Sequence, residues 1–141
     1  LWKRVREKDG LSYDVRSVIG WNVHEQNSWW IGSAIFAPGN RDKVEAAFKE
    51  EVTRALKDGF TAQELAEGKT GLLSFRSLSR AQDGNLAAGW ARNLDLNRTF
   101  TRAAQVDAEL QAVTIEQVNA ALRKHIDPAK WVWGMAGDFK G

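Results

Sequence analysis

REKDGLSY, residues 6–13, sets a glycine between a charged run and a tyrosine. Upstream, LWKRVREK (1–8) reads as the interior of a helix, since no capping residue precedes it. A chain that begins inside an element reads as a piece of a longer protein. Gly10 stops that helix. Downstream, Tyr13, Val15, Ile19, Trp21 and Val23 fall on odd positions with Asp14, Arg16 and Asn22 between them, the period-two pattern of a half-buried strand. The stretch thus places Arg6 in the last turn of a helix and Tyr13 at the mouth of the first strand.

Working outward, HEQNS (24–28) reads as a turn, and Trp29 to Ala37 as a strand apolar on both faces and covered on two sides. Five linking residues make the pair an antiparallel hairpin. After Pro38 and Gly39, Asn40 can cap a helix whose apolar positions Val44, Ala47, Phe48, Val52, Ala55 and Leu56 keep helical spacing until Gly59. Thr61 with Glu64 forms a capping box opening a second helix through Leu65 and Leu72 toward Leu78. Gly68 and Gly71 within it each cost about 1 kcal/mol relative to alanine, so either something packs closely there or the helix is locally weak. Further helical stretches run through Leu86, Trp90 and Leu94, and through Val106 and Leu110. A second capping box, Thr114 with Gln117, starts a helix through Val118, Leu122 and His125 that Pro128 ends. WVWGMAG, 131–137, reads as a closing strand. The order helix, hairpin, several helices, strand predicts an α+β fold, with helices on one face of a small antiparallel or mixed sheet.

The 141 residues suffice for one domain with its own core, and residues 1–141 are expected to form one. Twenty Lys and Arg against 18 Asp and Glu give a formal charge of +2, too small to argue for nucleic acid as a partner. Without cysteine there is no disulfide framework, thiolate zinc site or cysteine nucleophile. The longest apolar run, WWIGSAIFA, is about half the length of a membrane-spanning helix, so no membrane partner is expected.

The pattern Arg6-x-x-x-Gly10-Leu11-x-Tyr13 resembles the arginine and tyrosine signature in the C-terminal half of insulinase/pitrilysin family zinc peptidases, the inverzincins. The Pro38-Gly39 exit, the Thr61, Glu64, Leu65, Lys69 helix start, the Val113, Thr114, Val118 helix start and the closing Gly137-Asp138 follow that family's order of elements. The resemblance covers essentially the whole chain, but only the latter part of one C-terminal domain of a LuxS/mitochondrial-processing-peptidase-like metallohydrolase fold. It implies a clamshell of two similar domains around a chamber, with zinc on an inverted His-x-x-Glu-His helix in the N-terminal half. This chain has only His24 and His125, neither with that spacing, so it is expected to hold no metal or cofactor and to be inactive alone. The implied partners are an N-terminal zinc-bearing domain or partner subunit and a peptide substrate, and the implied compartment is the periplasm.

By the same resemblance, Arg6 and Tyr13 are the candidate catalytic residues, acting in trans on a substrate carbonyl or the oxyanion formed from it. A guanidinium and a phenol are both hydrogen-bond donors suited to that task. Against this stands a plainer reading, in which Arg6 favours the negative end of its helix and Tyr13 is a strand aromatic. His24 at the hairpin tip reads as a solvated turn, and the Lys3, Arg4, Arg6, Lys8 cluster as a solvated face. Seven tryptophans argue for burial beneath helices on one side and against a missing domain on the other, leaving an apolar surface or strand edge that a homodimer would cover. A noncatalytic structural or peptide-binding subunit on the same fold, or an unrelated α+β adaptor, remains open at this point.

Overall fold

The charged run at the start of the chain winds wider than an α-helix. In the computed structural model, which describes residues 1–138, Lys3–Lys8 form a π-helical turn closed by the Asp9 N–H donating to the Arg4 carbonyl at 3.0 Å. Its one inward side chain, Val5, is fully buried. Contacts gather the chain into two compact units, Leu1–Asp58 with the segment from Ile126, and Gly59–His125.

In the first unit, β1 (Ser12–Gly20) and β2 (Trp29–Phe36) pair antiparallel, with Val15 opposite Ala34, Ser17 opposite Gly32 and Ile19 opposite Trp30. Gly32 leaves room for a ring: a Cβ there would overlap Phe48 of α1 (Arg41–Asp58). Val5, Val15 and Ala47 form the core, with Leu1, Leu11 and Ala34 packed around them. Val44, Ala47, Phe48 and Val52 are the buried positions of α1, as their spacing predicts. The chain reaches α1 through a short 3-10 turn, Pro38–Asn40, and the Asn40 amide donates to the Leu11 carbonyl.

Three expectations are corrected here. The first strand ends at Gly20 rather than Val23, and Trp21 and Val23 lie in the connecting loop. Asn22 organises that loop by accepting from the His24 and Glu25 N–H groups, an arrangement that competes with a strand ladder. The second strand is not covered on both faces: Trp29, Ile31 and Ile35 are each about half exposed, because one helix layer reaches only the alternate residues. Nor is there a closing strand over 131–137, so the sheet has two strands. That segment is held by its rings instead. Trp131 and Trp133 pack on Phe48 at 6.1 and 5.6 Å between centroids, and Trp131 on Trp30 at 6.0 Å. Val132 between them is 96% exposed, so alternation survives without a strand partner.

The second unit consists of α2 (Ala62–Arg80), α3 (Asp83–Asp95), α4 (Thr101–Ala112) and α5 (Ile115–His125). Both capping boxes form as the sequence predicts, Thr61 with Glu64 and Thr114 with Gln117. Gly59 ends α1 at φ 80°, and the Asn119 side chain clasps Phe60 by accepting its N–H at 2.7 Å and donating to its carbonyl at 3.1 Å. A Cβ at Gly68 or Gly71 would meet nothing within 4 Å, so these glycines weaken α2 locally and serve no close packing.

Helices α2 and α4 are joined by charge. Asp107 is shared by Arg76 and Arg80, the latter at 2.7 Å, with Asp107 and Arg76 mostly shielded from water and Arg80 more exposed. The Arg76 hydrogen bond, helped by Arg80, holds the Asp107 carboxyl below its ordinary range against the opposing effect of desolvation. A lowered folded-state value means that the stabilisation is complete above the ordinary carboxylate range and is lost as pH falls through the lowered one. Asp107→Asn is expected to cost about 1 to 2 kcal/mol at neutral pH. In thermal unfolding followed across pH, the difference from wild type should shrink in acid; a constant difference would contradict this linkage.

Candidate functional site

Gly10 adopts φ 61°, a left-handed conformation open to glycine and strained for other side chains. It reverses the chain directly after the π-helical turn, and the Leu11 N–H donates back to the Val5 carbonyl at 2.9 Å. That bond spans six residues, one more than in a Schellman motif, as the wider winding requires. Arg4 fixes the turn by ion pairs to Asp9 at 2.7 Å and to Glu50 of α1 at 3.1 Å.

The strand that follows is irregular at once. Ser12 pairs with Phe36 and Asp14 with Ile35, so Tyr13 is the extra residue of a β-bulge. A bulge interrupts the ladder, and Ser12 repairs the interruption: its buried hydroxyl donates to the Ile35 carbonyl and accepts the Asp14 N–H at 3.2 Å. Asp14 is engaged by Arg16 at 3.0 Å.

The outcome is that Arg6 and Tyr13 line one open concavity of about 450 Å³, together with Gly10, Leu11, Ile35 and Phe36. Arg6 is the one charged side chain among its described lining residues. Its guanidinium lies 4.3 Å from the centroid of the Trp2 ring and makes no ion pair or hydrogen bond within the described residues. Tyr13 is 71% exposed, and its hydroxyl likewise has no partner among them. Both residues therefore line the same space, with their side-chain donors uncommitted among the described residues.

Residues 1–72, just over half of the chain, match the family described as Peptidase M16 inactive domain. The chain belongs to that family. Comparison with curated proteins gives no match. As an insulinase-like inactive domain, the chain carries its whole candidate concavity inside the matched span, whereas the Val113, Thr114, Val118 and Gly137-Asp138 motifs lie beyond it.

The histidines do not build a metal centre in this M16 domain. His24 lies in the hairpin loop and His125 ends α5, and among the described residues no group of three or more His, Cys, Asp or Glu side chains could hold a metal ion. Among the described residues, no helix is long and apolar enough to cross a membrane.

The sequence singled out Arg6, Gly10 and Tyr13, which line this concavity, but not the Ser12 hydrogen bonds or the Trp2 contact. The Trp2–Arg6 contact had a signal, since residues four apart share a helical face. A bulge at Tyr13 had none, because Ser12 at a strand start is compatible with regular pairing. Ser12→Ala should leave the Asp14 N–H and Ile35 carbonyl unsatisfied, costing about 1 to 3 kcal/mol. Denaturant unfolding would measure that loss, and hydrogen exchange should accelerate at the Asp14 amide. Unchanged exchange there would show that the hydroxyl does not hold the bulge.

Proposed function

We propose that this chain is the metal-free C-terminal portion of an insulinase-like zinc metallopeptidase, where it binds an extended peptide and polarises the scissile carbonyl. The observation that carries the reading is the shared concavity: a guanidinium and a phenol, distant from one another along a helix exit and a bulge, line the same space with their donors unspent. In this reading the metal and the general base belong to an N-terminal domain or partner subunit of LuxS/mitochondrial-processing-peptidase-like fold. This chain's own chemistry is binding and orientation. A peptide carbonyl approaching the concavity accepts from the Arg6 guanidinium or the Tyr13 hydroxyl, and both bonds strengthen as negative charge develops on that oxygen.

The surroundings disfavour a basic peptide side chain. Leu11, Ile35 and Phe36 offer apolar wall, and with Arg6 as the one charge of the described lining, a basic side chain seated there would meet repulsion without compensation. The sheet beside it also leaves strand edges available for main-chain pairing, a mode that reads backbone more than side chains.

The test is made in the full-length enzyme that carries this chain. Arg6→Ala and Tyr13→Phe should each lower peptide turnover, up to about a hundredfold, the lower end of what one oxyanion donor is worth. Zinc content, measured on the same preparations, should stay at the wild-type level. Wild-type turnover in both variants would overturn the assignment.

A further inference from the structure

Arginine side chains on a helix surface sample many rotamers, and a site that uses one as a donor benefits from restricting it. Arg6 is restricted. Its guanidinium carbon lies 4.3 Å from the Trp2 ring centroid, within the range over which a ring face attracts a cation. The ring is itself tethered from its other polar end, since the Trp2 indole N–H donates to the Glu7 carboxylate at 3.3 Å. Trp2, Arg6 and Glu7 thus form a surface clamp on one turn: the carboxylate fixes the indole, and the indole face carries the guanidinium. Because the face attracts the cation without using an N–H, all five donors of the guanidinium stay available to a ligand.

We propose that Trp2 is a positioning residue for Arg6, holding the guanidinium at the concavity and limiting the freedom it must lose when a peptide carbonyl binds. The proposal rests on the role given to Arg6 above. It extends that role to a residue that touches no substrate, with Glu7 as the group that orients the ring.

The experiment uses the full-length enzyme and one chromogenic or fluorogenic peptide, with kcat and KM determined separately. Trp2→Leu should reduce kcat/KM about two- to fivefold, the size expected for one exposed ring–cation contact. Trp2→Phe, which keeps a ring face, should recover most of the loss. In the Arg6→Ala background, Trp2→Leu should have no further effect, as a residue acting only through Arg6 requires. Should Trp2→Leu fold poorly, site-specific replacement of Trp2 by mono- and trifluorotryptophan weakens the ring face with little change of shape, and kcat/KM should fall stepwise with fluorine number. A flat fluorination series overturns the proposal, and so does an equal loss from Trp2→Leu with and without Arg6. Wild-type activity in Trp2→Leu beside a deficient Arg6→Ala defeats the positioning role alone, whereas wild-type activity in Arg6→Ala defeats the underlying reading of the site.

Discussion

Everything that distinguishes this surface depends on a single backbone reversal. At Gly10 the chain takes a left-handed conformation, so the helical turn bearing Arg6 and the strand bearing Tyr13 lead away from the same point. Without that reversal, a helical turn continuing past Asp9 would carry Arg6 and Tyr13 along its own surface. The Leu11 N–H closes the reversal on the Val5 carbonyl, and Val5, fully buried, anchors it in the core with Val15 and Ala47. The bulge then does a second job. By inserting Tyr13 as an unpaired residue it frees that side chain from the alternation that sends Val15 inward, and Ser12 satisfies the groups the insertion disturbs.

The hairpin could not do this alone. A two-stranded ribbon in water is marginal, so its shape is held by what lies on its covered face. Here that is α1 and a group of rings: Phe48 contacts Trp30, Trp131 and Trp133, and Gly32 allows the closest approach of the helix to the sheet. Trp30 donates its indole N–H to Ser17 at 2.9 Å, so a large ring is used without stranding its polar atom. The opposite face carries Val18, Trp29, Ile31 and Ile35, all near half exposure, with Val18 directly opposite Ile31 and with Asp14, Arg16 and Ser33 on the same face.

Local chemistry made much of this readable. The helix exit at Gly10, the existence of the hairpin, the α1 stripe and both capping boxes follow from spacing and cap residues that act within a few positions, although the first strand ends three residues early. What failed depended on partners elsewhere in the chain. Trp131 to Gly137 has the composition of a strand, but a strand exists only by pairing, and its tryptophans found aromatic rings in place of a ladder. The second strand looked covered on both faces because its composition is apolar on both; composition does not record how many layers are present. Arg6 and Tyr13 stood out only through the family resemblance of the pattern around Gly10, whereas the Ser12 repair and the Trp2 clamp are three-dimensional arrangements.

The central claim is that Arg6 and Tyr13 meet one peptide group together. It is tested most directly by nuclear magnetic resonance on the proposed parent peptidase with labelled arginine and tyrosine, titrated with an extended peptide that it does not cleave. The Arg6 Nε–H and Tyr13 ring signals should move along one binding curve with a common midpoint, as two donors to one ligand must. Movement of only one of them, or shifts confined to the open sheet face around Trp29 and Ile31, would contradict the account.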